Sequence, residues 1–108
     1  MIPMNEDPLT VEQITAWFSS KRDSLRSAGI LVSEAHVNQK YLPSVFVDVD
    51  SPLTTGRICG WVSGEFDLQL LRIADGKDIL FRHATVTVLP SVELENAFAA
   101  FEQAIHSA

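Results

Sequence analysis

A chain of 108 residues is the size of one domain, and it is long enough to bury a hydrophobic core without disulfide bonds or a structural metal. Its hydrophobic fraction of 46% against 20% charged residues is typical of a folded protein, not a disordered one. The net charge of −6, with only eight Lys and Arg residues, argues against nucleic acid, since phosphate binding requires clustered cations. An acidic protein of this kind suits a basic protein partner.

The termini and the cysteine content bear on localisation. Cys59 is the single cysteine, so an intramolecular disulfide is excluded. The opening residues MIPMNEDP lack the basic and apolar regions of a secretory signal, and no apolar run approaches the roughly 20 residues needed to cross a bilayer. We therefore expect one cytoplasmic domain over residues 1–108, with a loose leader over residues 1–7 and no membrane partner.

The first predicted element is a helix that begins near Pro8 to Thr10. Thr10 and Gln13 have the spacing of a capping box, and Gly29 is well placed to end the helix. Its apolar stripe, at helical spacing, consists of Ile14, Trp17, Phe18, Leu25 and Ala28. We expect this stripe to pack in the core.

Strands follow the helix. Ile30 to Gln39 predicts a weak first strand, in which His36 is an ordinary edge residue. The segment VFVDVD then alternates strictly, which predicts a half-buried strand with valines on one face and Phe46, Asp48 and Asp50 on the other.

The SPLTTG segment over residues 51–56 predicts a loop, and alternation then resumes. The predicted register sets Asp50 opposite Arg57 and Phe46 opposite Trp61, so that the apolar faces of the two strands coincide. A three-residue turn follows, with Gly64 in the left-handed conformation. It pairs Gly60 with Phe66 and places Glu65 and Asp67 on the same face as Trp61.

The last strand is predicted over Asp78 to Leu89, after an Ala-Asp-Gly-Lys turn. Leu70-Leu71 breaks the alternation and indicates a bulge, which leaves open whether His83 faces the core or the open side. Ser91 then caps a second apolar-striped helix. We predict a two-layer α+β domain, an antiparallel meander of about five strands with the N-terminal and C-terminal helices packed on one face.

Catalytic and metal-binding chemistry has weak support. Asp48 and Asp50 could bind a cation or act as paired carboxylates, but a solvated strand face explains them as well. Cys59 could act as a nucleophile if His36 or His83 approached it, although a packed side chain is the simpler interpretation. Because no phosphate loop, nucleophile elbow or metal-ligand cluster is present, we predict no enzyme activity, no cofactor and no metal.

Aromatic and acidic residues share the predicted open face of the sheet. Phe46 and Trp61, ringed by charge, have the composition of interface anchors, unless a loop covers them. The predicted partner-binding residues are Phe46, Asp48, Asp50, Arg57, Trp61, Glu65 and Asp67. The other candidate site is the loop tips over residues 51–55 and 75–77.

The run VDVDSPLTTGRICGWVSGEFDLQLL, Val47 to Leu71, resembles the TriTu-type immunity proteins of bacterial polymorphic toxin systems. The matching residues are Asp50, Ser51, Pro52, Gly56, Arg57, Ile58, Trp61, Ser63, Gly64 and Glu65. The resemblance covers about a quarter of the chain closely. It implies a small cytoplasmic protein that binds and neutralises a toxin, and it supplies no catalytic residues.

Two other classes of function stay open at the level of sequence. A secretion chaperone would also be small, acidic and α+β, and it would bind an extended effector segment as a homodimer. A small-ligand domain or enzyme would use Asp48, Asp50 and a histidine. Oligomeric state and metal binding distinguish these classes.

Overall fold

The computed structural model describes residues 7–108, so the predicted leader lies outside the described residues except for Asp7. The elements are α1 (Val11–Ser27), β1 (Leu31–Val32), β2 (His36–Asn38), β3 (Ser44–Asp50), β4 (Thr54–Trp61), β5 (Glu65–Arg72), β6 (Asp78–Thr85) and α2 (Val92–Ser107). The strands form one antiparallel sheet in the order β3-β4-β5-β6, with β1 and β2 both paired to β3. The predicted α+β fold is confirmed.

Capping determines where α1 begins and ends. The Thr10 hydroxyl accepts a hydrogen bond from the Gln13 N–H at 3.1 Å, and the Gln13 side chain accepts one from the Thr10 N–H at 2.9 Å. This is the predicted capping box. The helix ends at Ser27, and Gly29 takes a positive φ of 83° just beyond it. The prediction that Ala28 belongs to the buried stripe is wrong, because Ala28 is the exposed C-cap of this helix.

The two helices cover the same face of the sheet. Helix α1 contacts β1, β3 and β4, while α2 contacts β5 and β6. Trp17 lies between them and makes edge-to-face contacts with Phe66 and with Phe98, at centroid distances of 5.6 and 5.7 Å. The sheet contributes the buried side chains Val45, Val47, Val49, Ile58, Phe66, Leu68 and Leu70. One continuous core thus lies under both helices.

The register between β3 and β4 differs from the predicted one by two residues. Asp48 lies opposite Arg57, Asp50 opposite Thr55, and Phe46 opposite Cys59. The reason is a tighter turn: the Ser51 N–H donates to the Thr54 carbonyl at 2.9 Å, so pairing begins again at once instead of after Gly56. A shift of two residues keeps every side chain on its predicted face.

Two of the predicted strands have other bounds in the structure, while the predicted bulge and turn are present. The weak first strand is split into β1 and β2. Between them, the Ser33 N–H donates to the Asp48 carbonyl and the Ser33 hydroxyl accepts from the Asp48 N–H, so a side chain replaces one backbone group of the regular pairing. Strand β6 ends at Thr85 and not at Leu89, because the Thr85 N–H donates to the Glu93 carboxylate. The bulge at Leu70-Leu71 is confirmed, and so are the Gly60–Phe66 pairing and the positive φ of Gly64.

Candidate functional site

The outer face is the surface of the sheet opposite the two helices. Its side chains come from alternate positions of β3, β4, β5 and β6, and they stand in cross-strand rows. One row consists of Phe46, Cys59, Asp67 and His83; the next consists of Asp48, Arg57, Gln69 and Phe81. Trp61 lies at the end of β4, opposite Ser44.

Arg57 is the centre of the first cluster on the outer face. Its Nε donates to the Asp48 carboxylate at 2.8 Å, and its guanidinium lies 4.1 Å from the centroid of the Phe46 ring. His36 stacks on the same ring at 4.9 Å. The hydrogen bond to Asp48 raises the pKa of Arg57, so its charge is fixed. A cation that lies over an aromatic ring and pairs with a carboxylate gives this part of the outer face both aromatic and charged contact groups.

His83 is the centre of a second, acidic cluster. Its Nδ1 lies 2.6 Å from the Asp67 carboxylate, and its Nε2 lies 3.7 Å from that of Glu65. The hydrogen bond with Asp67, together with the charges of Asp67, Glu65 and Glu93, raises the pKa of His83 above its ordinary value. Two carboxylates that share one imidazole leave this end of the outer face negative.

Between the clusters the outer face is concave. A depression of about 280 Å³ is lined by Arg57, Cys59, Trp61, Asp67, Gln69 and Phe81. Phe81 forms part of its rim and is 52% exposed, and Trp61 is partly exposed. Burial raises the pKa of the Cys59 thiol, so this cysteine is a neutral wall of the depression and not an activated nucleophile.

A second depression adjoins the first at Trp61. It measures about 240 Å³ and is lined by Leu42, Trp61, Glu65, Asp67 and His83. Trp61 therefore borders both depressions, each of which has apolar and charged residues in its lining. Such an amphipathic aromatic residue is the usual anchor of a protein interface.

The structure brings together most of the residues predicted for the site, in two groups. Phe46, Asp48 and Arg57 form the first, and Trp61, Glu65 and Asp67 line the second depression. Asp50 belongs to neither group, because its carboxylate accepts a hydrogen bond from the Thr55 hydroxyl at 2.7 Å. The predicted facing of Phe46 by Trp61 is wrong, since Cys59 stands opposite Phe46.

Sequence reasoning did not assign Phe81 or His36 to this face and left the facing of His83 open. Phe81 and His83 lie on the outer face because the bulge leaves Ile79 as the extra residue of β6, and the break in alternation at Leu70-Leu71 indicated a bulge without showing which residue of the partner strand is extra. His36 was assigned to an edge strand, but its stacking on Phe46 depends on a pairing that the weak pattern of that strand did not predict.

The geometry of Asp48 and Asp50 bears on the alternatives of metal binding and of paired-carboxylate chemistry. Asp48 and Asp50 have separate partners, and residues 7–108 contain no group of three or more His, Cys, Asp or Glu side chains that could hold a metal ion. No helix in the described part of the chain is long and apolar enough to cross a membrane. What the outer face offers is a contact surface of aromatic rings and charges.

A protein-family model matches most of the chain. The model of the immunity protein TriTu family matches residues 12–104, from the first turn of α1 almost to the end of α2. The chain belongs to the TriTu immunity protein family. No curated protein and no solved structure matches it. The resemblance at Val47 to Leu71 thus extends to nearly the whole domain, and membership in this family supports a protein-binding role of the immunity type.

Within this TriTu immunity protein, the matching segment is also the structural centre. Val47 to Leu71 spans most of β3, all of β4 and most of β5, which carry Asp48 and Arg57 of the first cluster and Glu65 and Asp67 of the second. Trp61 and Glu65 flank the tight turn at Gly64 and both line the second depression. Of the ten residues that carry the resemblance, Arg57, Trp61 and Glu65 line the two depressions of the outer face.

Proposed function

We propose that this protein neutralises a toxin by binding it with the outer face, without catalysis. The observation that carries the proposal is the composition of that face. Phe46, Trp61 and Phe81 remain partly or largely exposed among charged side chains, on the side of the sheet that neither helix covers. Aromatic residues with a charged rim are typical of interface centres.

Trp61 is the principal anchor in this proposal. It borders both depressions, so a partner side chain that enters either one contacts the indole. Phe81 adds exposed apolar area beside it. Burying such rings removes apolar surface from water and accounts for much of the binding free energy of an interface.

The charges determine which toxin surface fits. The chain carries −6 overall, and on the outer face Glu65 and Asp67 leave one end acidic, whereas Arg57 is balanced by Asp48. A basic surface on the toxin would be attracted at long range and then oriented toward the Glu65 end. The proposed partner is therefore a basic toxin domain with an apolar patch.

The test identifies the toxin by pull-down from the source cell and from the neighbouring open reading frame, and then measures the affinity for the purified toxin domain. Trp61→Ala should weaken binding by about 2 kcal/mol or more, roughly thirtyfold, with an unchanged fold. Val92→Ala is the matched control, since Val92 is 79% exposed at the start of α2, on the other layer. Unchanged affinity for a folded Trp61→Ala variant would move the interface away from the outer face.

Association rates test the charge argument separately. Asp67→Asn should slow association and flatten its dependence on salt, because charges at an interface act mainly on encounter. Asp23→Asn makes the same change of net charge on the exposed side of α1 and should have little effect. Equal effects of the two variants would show that only net charge matters.

The oligomeric state of the free protein tests the alternative that the outer face binds a second copy of this chain. Sedimentation as a dimer that Trp61→Ala dissociates would assign the outer face to a second copy.

A further inference from the structure

Strand β6 is an edge of the sheet, and its hydrogen-bonding pattern identifies the backbone groups that face outward. The Val86 N–H donates to the Gly64 carbonyl on the β5 side at 2.7 Å. Because donors alternate along an antiparallel strand, the N–H groups of Ala84 and Arg82 also point toward β5. Those of Phe81 and His83 point away from the sheet.

Both ends of this edge are closed. At one end, the Thr85 N–H donates to the Glu93 carboxylate of α2 at 2.6 Å. At the other end, the register shift at Leu70-Leu71 leaves Ile79 as an extra residue in β6, and such a bulge interrupts regular pairing. The window between these ends runs from Phe81 to His83, and within it the Arg82 guanidinium donates to the outward-facing Phe81 carbonyl at 3.1 Å.

The opposite edge of the sheet offers less. Strand β2 has three residues, His36–Asn38, and is separated from β1, which has two. An interrupted edge cannot present a continuous row of donors and acceptors, which is a common way to prevent edge pairing. Among the described residues, β6 is therefore the edge better suited to receive another strand.

A second copy of this chain fits the window poorly. Two-fold pairing of Phe81 with His83 of the other copy would place Arg82 directly opposite its own counterpart, and like charges there are destabilising. Pairing centred on His83 would require the Thr85 N–H, which Glu93 already holds. Pairing centred on Phe81 would require regular geometry at the bulged Ile79.

We propose that an extended segment of the toxin partner adds to β6 as a further strand, which rests on the proposed function. Its carbonyl groups accept hydrogen bonds from the N–H groups of Phe81 and His83. The Arg82 guanidinium donates to the Phe81 carbonyl at 3.1 Å and makes no ion pair with a carboxylate among the described residues, so an acidic side chain on the segment would draw Arg82 away from that carbonyl and free it for pairing. Phe81 and His83 also present their side chains on the outer face, so one partner covers face and edge together.

Amide hydrogen exchange of the free protein and of its complex with the purified toxin domain tests this directly. In the free protein, the amides of Arg82 and Ala84 should be protected and those of Phe81 and His83 should exchange fast. Complex formation should slow exchange at Phe81 and His83 at least about tenfold, and should leave Val37, at the β2 edge, unchanged. Protection of Phe81 and His83 already in the free protein would overturn the proposal.

Charge reversal gives a second measurement. Arg82→Glu should weaken toxin binding by about fivefold or more, whereas Arg26→Glu, the same change in an exposed position of α1, should have little effect. If the amides of Phe81 and His83 stay fast in a complex that Trp61→Ala still weakens, the edge is not used and the outer-face proposal stands. If Trp61→Ala has no effect but these amides become protected, the outer-face proposal fails instead.

Discussion

Trp17 and Glu95 join the two helices across the top of the core. The indole Nε1 of Trp17 donates to the Glu95 carboxylate at 2.8 Å, and Lys21 donates to the other carboxylate oxygen. Lys21 also lies over the rings of Trp17 and Phe98, at 5.7 and 5.2 Å. Helices α1 and α2 come from opposite ends of the chain. The hydrogen bonds of Trp17 and Lys21 with Glu95 therefore join the two helices directly, in addition to their packing on the same sheet.

Glu95→Ala should destabilise the fold by about 1–3 kcal/mol, because the indole N–H of the buried Trp17 loses its acceptor. Burial raises the pKa of Glu95, but the hydrogen bonds from Lys21 and Trp17 outweigh it, so the folded-state pKa is lowered. A lowered pKa stabilises the fold above the unfolded value, about 4.3, and that contribution is lost as the pH falls through the folded value.

Denaturant unfolding at several pH values checks this. The difference between wild type and Glu95→Ala should be largest near neutral pH and should shrink below about pH 4. Glu102→Ala is the control, since Glu102 makes only a 3.3 Å contact with Ser24, and its cost should stay within about 0.5 kcal/mol. Equal losses in the two variants would mean that the Trp17 hydrogen bond contributes little.

Two turn glycines provide a matched test of backbone constraint. Gly64 has a φ of 95°, and a Cβ added there would overlap the backbone carbonyl oxygen of Val86. Gly76 has a φ of 69°, with nothing within 4 Å of an added Cβ. Gly76→Ala should therefore cost only the left-handed strain of about 1–2 kcal/mol. Gly64→Ala should cost about 2–5 kcal/mol, because the overlap adds to the strain. Thermal unfolding of both variants measures the two losses of stability. Equal losses would contradict the close packing of Gly64 on Val86.

Local chemistry made much of the fold predictable. Thr10 and Gln13 identify the start of α1, and Gly64 identifies the turn between β4 and β5, because each has a requirement that few other residues meet. The register at Ser51 was not predictable in the same way. A shift of two residues preserves the alternation of faces, so only the hydrogen bonds between Ser51 and Thr54 distinguish the registers.

The candidate site was predictable as a face but not as a set of contacts. Alternation in β3 and β4 placed Phe46 and Trp61 outward correctly, since parity is a local property. The pairing of Asp48 with Arg57 follows from the observed register of β3 and β4. The contact of Asp67 with His83 follows from the register of β5 and β6, which the bulge at Ile79 sets. Each contact depends on an irregular position where the chain departs from a repeating pattern.

His83 predicts how stability depends on pH near neutrality. The hydrogen bond with Asp67, and the charges of Asp67, Glu65 and Glu93, raise its folded-state pKa above the ordinary value. For a raised pKa, the added stability is fully present below the unfolded pKa, about 6.5, and is lost as the pH rises through the folded value. The protein should therefore lose a small part of its stability as the pH rises from about 6.5 through the pKa of His83.

The variant His83→Gln should abolish this slope while keeping a side chain that can donate to Asp67. Its stability should match that of the wild type at the alkaline end of the window and fall below it at pH 6, where the wild-type imidazole is charged. His106→Gln is the control, because His106 is exposed at the end of α2. Denaturant unfolding at each pH, with an NMR titration of His83, measures both quantities. A His83 pKa at or below the ordinary value would show that Asp67 and Glu65 do not hold the proton, and the acidic end of the outer face would then be more negative near neutral pH than proposed.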